Sequence, residues 1–534
     1  MSEAPKKQTF LHGAALLAMA TAIVKVIGAL YKIPLKMVIG DQGYSYFCTA
    51  YDIYSVLLMI STAGLPVAMS RLISEASALK NYRQVRKIYK TCWGIYLGLG
   101  LVSSLLMTLF CHQLAGFQKQ PDAWAAIAAL GPCALLVCIL SSYRGFFQGQ
   151  GNMIPTSVSQ VLEAVCKLIV GLVCAFAIMH YTGSVALAAG GAILGVTFSC
   201  LVSVVYMSAG FRKAYRSLPE DAGKETSSGH IAKRLLAIAV PITIGSAGLQ
   251  MLPVLETNLY MGQLLGHSGM TQDLAENMKG VYNMTQTVFN MPCAFIVPIT
   301  VSVIPAITSH LTLCNDKGVK ETEESAARIT GLISLPCAVG LTVLAKPIMS
   351  LLGGYSGEKL ELAAQLMMLL GISVFLYAVV QLTNAVMQAH GNAHLPVVHM
   401  LIAGVMKLII VYILVGNPAI GLHGAPTGTA LCYLAIGILN IIAIRRTVGQ
   451  KPAIVRNLLR ALIPAALMGA GAFGSWWAIV KLLGEDVSRI IQCGVPIVIA
   501  VVIYVVTVVW CKAITKEDCL LLPKGEKIAK LLHL

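Results

Sequence analysis

Lysines lie inside an apolar stretch near the start of this sequence, where a charge is costly and usually faces a hydrated cavity or a partner. Lys25 and Lys32 are seven residues apart, which places them on one face of a helix. That face could bind an anion such as a phosphate. Lys36, near the far end of the same stretch, is expected to extend its ammonium group toward lipid headgroups.

Further charges follow between residues 144 and 167. Glu163 and Lys167 have the i, i+4 spacing and order that favour an ion pair along a helix, and such a pair could be structural or line a cavity. Arg144 and Gln148 precede a glycine-rich turn. They are candidates for substrate contact, although a turn flanked by a cytoplasmic arginine explains them equally well.

A lysine also occurs 240 residues after Lys167, at Lys407, with Ala403 where a glutamate would pair with it. We include Lys407 among the candidate substrate-binding residues. Two acids, Asp52 and Glu256, complete the set as candidates for coupling transport to a cation or a proton. Pro253 precedes Glu256 and could unwind the helix to free carbonyl groups for an ion.

Catalytic and metal-binding motifs are missing from the sequence. It has no P-loop, no G-x-S-x-G elbow and no His-Glu-x-x-His, and its eleven His are dispersed without metal-ligand spacing. Fifteen Cys occur without a C-x-x-C pair, which favours reduced, buried thiols. We therefore expect neither an enzyme nor a resident cofactor or metal; Na⁺, H⁺ or the membrane potential would drive any transport.

The elements that position these residues follow from the composition. Hydrophobic residues make up 57% of the 534 residues and charged residues 12%, and the mean hydropathy is +0.77. A soluble domain carries about 25% charged residues, so a soluble fold is excluded and the bilayer is the solvent. The formal net charge of +16 then indicates cytoplasmic loops rather than a nucleic-acid partner.

Fourteen apolar stretches are long enough to cross the membrane as helices, since each needs about 20 residues. They lie at residues 10–33, 47–69, 91–111, 124–147, 154–179, 184–209, 235–264, 281–307, 329–351, 361–388, 396–416, 424–444, 460–483 and 489–512. The tails and loops on one side hold 28 of the 39 Lys and Arg residues, against five on the other, Lys279 among them. This asymmetry predicts cytoplasmic termini.

Two short patterns recur at nearly one offset. FQGQGN at residues 147–152 returns as MQAHGN at 387–392, and PVAMSRL at 66–72 resembles PAITSHL at 305–311. Six predicted helices separate the copies, so both copies keep the same orientation. The sequence therefore predicts an all-α integral membrane protein with two six-helix lobes in parallel repeat, followed by two C-terminal helices.

Three stretches of the sequence resemble a known superfamily. They are VKVIGALYKIP at residues 24–34, AGLPVAMSRLISE at 63–75, and RGFFQG at 144–149 followed by NMIPTSVSQVLE at 152–163. They resemble the polysaccharide-biosynthesis transporters of the multidrug/oligosaccharidyl-lipid/polysaccharide exporters, which include stage V sporulation protein B and MurJ-type lipid II flippases. The eighth predicted span, YNMTQTVFN at 282–290, departs from the MurJ type because it has no basic residue.

The resemblance implies a MATE-like fold and an alternating-access flippase for an undecaprenyl-pyrophosphate-linked saccharide, with Lys25 and Lys32 near the pyrophosphate. The expected regions are an N-terminal lobe with a cytoplasmic linker (1–230), a C-terminal lobe (231–448), two helices forming a lipid-tail groove (449–512) and a basic cytoplasmic tail (513–534). We expect a monomer in contact with membrane lipids, with cell-wall synthesis enzymes as candidate partners.

Three other functions remain open. A multidrug or organic-cation antiporter of the same superfamily is disfavoured because the intramembrane charges are mostly lysines, whereas a cationic drug prefers an acidic or aromatic pocket. A membrane scaffold for envelope-synthesis enzymes would use the basic loops. A membrane glycosyltransferase or ligase is disfavoured by the missing acidic motifs.

Overall fold

The computed structural model describes residues 10–62, 64–219, 225–449, 452–484, 487–511 and 513. Their regular structure consists of α-helices and three short 3-10 helices, with no strand in these ranges. The predicted basic tail after residue 513 and Lys6 and Lys7 at the start fall outside the described residues. The all-helical prediction is confirmed for the part of the chain that the structure describes.

The helices are numbered in chain order. They are α1 (Phe10–Thr62), α2 (Gly64–Ala78), α3 (Tyr82–Leu109), α4 (Cys111–Phe117), α5 (Trp124–Gly149), α6 (Ile154–Thr182), α7 (Val185–Arg216), α8 (Ser228–Gly266), α9 (Gln272–Thr312), α10 (Asp316–Val343), α11 (Ala345–Leu352), α12 (Gly357–Ala389), α13 (His394–Gly416), α14 (Gly424–Thr447), α15 (Ile454–Leu458), α16 (Leu462–Leu483) and α17 (Arg489–Trp510).

Among the described residues, 11 helical segments are long and apolar enough to cross a membrane. The first, Met19–Ala78, covers two predicted spans. Between these spans α1 is broken at Gly40, where φ is 69° and ψ is −176°. The seventh and eighth predicted spans lie in α8 and α9, which are not among the 11. The chain is a multi-pass membrane protein, and the number of fourteen spans stays a prediction.

The chain forms two compact units, and their boundary interrupts α9. Unit 1 comprises Met1–Leu265 and Met270–Gly280, and unit 2 comprises Gly266–Gly269 and Val281–Leu534. The first two turns of α9 therefore pack with unit 1. The domain limits expected from the sequence stay predictions.

Unit 1 is held together by close helix packing and by an aromatic cluster. A Cβ atom on Gly195 of α7 would overlap the backbone of Gly171 on α6, so these helices pack backbone against backbone. The ring centroid of Phe211 lies 4.4 Å from that of Tyr89 and 4.9 Å from that of Phe146. This cluster fixes the end of α5, where Arg144 is located.

Unit 2 packs α10, α12 and α14 around buried aliphatic side chains such as Ala327, Leu382 and Ile444. The two C-terminal helices attach to α10. Tyr504 of α17 donates a hydrogen bond of 2.6 Å to the Leu332 carbonyl, and Ala465 of α16 packs on Leu335. These contacts anchor α16 and α17 to unit 2.

The repeated sequence pattern forms the same turn twice. Gly151, after α5, has φ 76°, and Gly391, after α12, has φ 79°, a left-handed conformation that favours glycine. In the first turn the amide of Asn152 donates to the Phe147 carbonyl at 3.0 Å. In the second turn Asn392 donates to the Met387 carbonyl at 2.9 Å. Both helices thus end in the hydrogen-bond pattern of a Schellman motif.

Candidate functional site

The turn after α5 brings Arg144 against α6. The Arg144 guanidinium donates to Glu163 Oε2 at 3.1 Å, and its Nε and Nη2 atoms donate to Ser159 Oγ at 3.2 and 3.1 Å. Both charged side chains are largely buried, at 17% and 29% exposed. The structure forms the close ion pair of Glu163 with Arg144 of α5, and Lys167 interacts with the same carboxylate electrostatically.

Lys167 lies instead beside an aromatic ring on α1. Its ammonium nitrogen is 5.8 Å from the ring centroid of Tyr31, within range of a cation–π interaction. Tyr31 is buried, and its hydroxyl donates to the Ala192 carbonyl at 3.1 Å. The next residue on α1, Lys32, is half-buried and interacts electrostatically with Lys167. Lys167 also interacts electrostatically with Glu163, so two cations and one carboxylate share this part of α1 and α6.

The other first-helix lysines differ in their surroundings. Lys25 is exposed on α1, two turns before Lys32. Lys36 is buried and forms a 3.2 Å ion pair with Asp41 across the break at Gly40. The prediction that Lys36 extends to headgroups is therefore wrong, because a carboxylate beside the helix break neutralises its charge within the protein.

The two acidic candidates lie in unit 1 and interact with each other electrostatically. Asp52, on α1, accepts a hydrogen bond from Thr257 and interacts electrostatically with Glu256, Lys32 and Lys279. Glu256 is 6% exposed on α8. The helix α8 continues through Pro253, so the unwinding predicted there is wrong.

The sequence predicts that Lys279 lies in an outer loop, but this residue is the most deeply buried lysine or arginine in the part of the chain that the structure describes. Its side chain is fully buried in α9 and donates to Gln120 Oε1 at 2.9 Å and to Thr49 Oγ1. Gln120 in turn donates to Ser45. Since α9 begins at Gln272, Lys279 lies within this helix, on the face that is also buried at Glu276 and Gly280.

One turn earlier on α9, Glu276 is also fully buried. Its carboxylate accepts hydrogen bonds from Tyr46 at 2.5 Å, from Gln42 at 2.9 Å and from Gln272 at 2.7 Å. A Cβ atom on Gly280 would overlap the Asp41 carbonyl, so α9 touches the backbone of α1. The spacing of positions 272, 276 and 279 on one helical face was the sequence signal for this contact.

Two predicted residues contribute less to this site. Gln148 is half-buried at the end of α5, where its backbone carbonyl accepts the Gly151 amide at 3.0 Å. Lys407 belongs to unit 2, half-buried on α13 with its Cγ beside Gly428 of α14. Although Ala403 cannot pair with it, Lys407 takes part in a polar or electrostatic contact within the protein.

Unit 2 has a polar network that the sequence did not indicate. His399 Nδ1 and Asn440 Oδ1 are 2.7 Å apart, and Asn440 donates to Thr383 at 2.9 Å and to Asn384 at 2.8 Å. The network joins α12, α13 and α14 inside their bundle. It satisfies polar groups that would otherwise be costly in an apolar core.

Two bacterial proteins are similar to this chain over nearly its whole length. The chain is 24% identical to the lipid II flippase MurJ of Bacillus subtilis (strain 168) over 511 residues, covering 92% of each chain. It is 24% identical to stage V sporulation protein B of the same organism, over 97% of this chain and 98% of that protein.

Solved structures share the fold. A lipid II flippase MurJ in an inward closed conformation superposes with a TM-score of 0.70 at 12% identity, over 93% of this chain and 99% of that one. A multidrug resistance MATE family transporter in an inward-facing conformation gives 0.66 at 14% identity, over 81% and 99%. The MatE family profile matches residues 271–413, and the profile described as polysaccharide biosynthesis protein matches residues 10–310, more than half of the chain. The chain therefore belongs to the polysaccharide biosynthesis protein family of the multidrug/oligosaccharidyl-lipid/polysaccharide exporter superfamily.

Proposed function

We propose that this protein is a flippase that moves an undecaprenyl-pyrophosphate-linked saccharide, a peptidoglycan precursor such as lipid II, across the cytoplasmic membrane. The relatives named a lipid II flippase and a sporulation protein support a lipid-linked precursor as the substrate class. The MATE neighbours share the fold at 14% identity, which does not favour drug transport.

One observation carries the proposal: Lys167 of α6 lies 5.8 Å from the ring of Tyr31, which precedes Lys32 on α1, and the two lysines interact electrostatically. Because Arg144 pairs with Glu163 at 3.1 Å, that carboxylate is not dedicated to Lys167. Two neighbouring ammonium groups repel each other in a low-dielectric site, and a pyrophosphate would relieve this repulsion. Lys25, two turns away, would attract the headgroup from the exposed surface of α1, and Lys407 stays a further candidate for substrate binding.

The proposed transport cycle needs a membrane arrangement and a driving force. We propose fourteen spans with cytoplasmic termini, two lobes that rock against each other, and a lipid tail that stays against α16 and α17. Asp52 and Glu256 are the candidates for binding a coupling proton or Na⁺. The membrane potential is the alternative, since each charge that crosses the field contributes ~2.3 kcal/mol per 100 mV.

The test is a transport assay in proteoliposomes that contain lipid II, with accessibility to an external enzyme as the readout. We expect Lys32→Gln with Lys167→Gln to lower the rate at least ~10-fold, in line with the loss of a charge-assisted contact. The exposed Lys119, changed to Gln, is the matched control. Wild-type transport in the double variant would overturn the assignment of these lysines.

The identity of the saccharide needs a second experiment. We expect depletion in the host to accumulate one lipid-linked intermediate on the cytoplasmic side, to be identified by mass spectrometry. If no such lipid accumulates, the flippase proposal fails.

A further inference from the structure

An apolar groove lies on unit 2 where α12, α14 and α15 meet. Its volume is about 200 Å³, and every side chain that lines it is aliphatic or aromatic. Phe375 and Val379 form one wall, and Leu434 and Ile438 form the other. Leu434 and Ile438 are 42% and 49% exposed, so the groove opens outward from the helix bundle.

A second cavity of about 350 Å³ continues from the groove, since both are lined by Ile441 and Val455. The second cavity contains Arg445, in the last turn of α14, and Arg456 of α15. Both arginines are exposed, and the residues that line the two cavities include no carboxylate. The Glu324 carboxylate lies beside the second cavity, where it accepts a hydrogen bond of 3.2 Å from the Ala453 amide. Neither arginine forms an ion pair with another residue in the described ranges.

We propose that the groove and its arginine end together bind one anionic phospholipid, with an acyl chain in the groove and the phosphate between Arg445 and Arg456. The chemistry of the two cavities fits an amphiphile with one apolar and one anionic end. Basic pockets between membrane helices bind anionic lipid headgroups, and each arginine near the membrane surface increases the attraction for such a headgroup. A guanidinium group also suits phosphate because its N–H groups form a fork.

The side-chain chemistry favours a bulk phospholipid over other occupants. A single phosphodiester charge matches two exposed arginines, and an outward-opening apolar groove is accessible from the surrounding lipid. A soluble acidic peptide would not fill the aliphatic groove. This lipid would stabilise the junction of α12, α14 and α15 whichever saccharide the protein transports, so the inference does not depend on the proposed substrate.

The experiment uses the full-length protein in neutral phosphatidylcholine nanodiscs, titrated with phosphatidylglycerol and followed by native mass spectrometry and apparent melting temperature. We expect phosphatidylglycerol to bind and to raise the melting temperature, and more phosphatidylcholine to have no effect. Arg445→Gln with Arg456→Gln should weaken binding by ~5-fold for each arginine. Lysine at both positions should retain most of the binding.

The matched control is Arg446→Gln with Arg460→Gln, which removes two exposed arginines that do not line either cavity. Gly437→Leu fills the groove, because its Cβ would already lie 3.4 Å from Val379. We expect it to weaken binding while leaving both arginines in place.

Three results would overturn the proposal: equal binding of the two phospholipids, equal loss in the control pair, or displacement of phosphatidylglycerol by stoichiometric undecaprenyl pyrophosphate. The last result would assign the groove to the transported lipid. The binding measurements do not involve transport. A negative binding result therefore does not test the proposed flippase function, and a negative flippase assay does not test the phospholipid site.

Discussion

The ammonium nitrogen of Lys279 lies 2.9 Å from Gln120 Oε1, and neither side chain reaches solvent. A buried lysine is stable only when its donors are satisfied and a countercharge is near. Thr49 and Gln120 accept from Lys279, and Asp52 and Glu276 interact with it electrostatically. These contacts hold the first turns of α9 against α1 and against the segment that follows α4.

Lys279→Met should be among the most destabilising single changes in unit 1. It removes one donor to Gln120 Oε1 and the cation that interacts with the buried acids Asp52 and Glu276, which costs about 3 kcal/mol in typical buried networks. We expect the apparent melting temperature to fall by several degrees in nanodiscs. Lys119→Met, an exposed lysine near the same segment, is the control, and an equal melting temperature for both variants would contradict the prediction.

The contact between Gly280 and Asp41 leads to a second stability prediction. A Cβ at position 280 would overlap the Asp41 carbonyl, and a backbone atom cannot move aside as a side-chain end can. Gly280→Ala should therefore destabilise the protein by about 1–3 kcal/mol, as overpacking usually does. Gly94→Ala on α3 meets nothing within 4 Å, and thermal unfolding should show it unchanged or slightly stabilised.

Substitutions of Arg144 and Glu163, which form an ion pair, should have non-additive effects on the transport rate. Either Arg144→Gln or Glu163→Gln leaves one partly buried charge without its partner, whereas the double variant leaves neither. We expect each single variant to transport more slowly than the double variant. A double-mutant cycle on the transport rate measures this, with a coupling of about 1 kcal/mol or more. If the effects of the two single substitutions on the transport rate simply add, the predicted coupling between Arg144 and Glu163 is wrong.

A pH-dependent contact lies outside the membrane, in the segment before α8. Hydrogen bonds from Lys87 and Arg83 hold the pKa of the Glu225 carboxyl below its ordinary value. A lowered carboxyl pKa means that the contact is complete above the ordinary pKa and is lost as the pH falls through the lowered one. Protection of the Thr226 amide, which donates to Gln84 at 2.8 Å, should therefore be constant near neutrality and fall in acid.

Hydrogen exchange at Thr226 tests this by comparing the wild type with Glu225→Gln. The variant should show reduced protection at neutral pH and lose less of it on acidification. Identical pH profiles for the two proteins would rule out Glu225 as the titrating group.

The sequence predicted what depends on neighbours along the chain. Apolar periodicity and length located the long helices, and the pattern shared by residues 147–152 and 387–392 identified two turns of the same geometry. The rule for i, i+4 pairs missed the close partner of Glu163, because Arg144 comes from another helix. Lys36 and Lys279 were misplaced for the same reason: their partners become neighbours only when α1 bends at Gly40 and α9 packs against it.

The two turns at Gly151 and Gly391 share one backbone hydrogen-bond pattern, but the residue before the glycine differs between them. The first has Gln150, whose amide cannot gain or lose a proton. The second has His390, whose Nε2 atom lies 2.7 Å from Oε1 of the fully buried Glu323. An imidazole–carboxylate contact therefore ties the second turn, at the end of α12, to α10. One backbone pattern thus occurs at two places in the chain, and at the second place the His390 side chain joins two helices of unit 2.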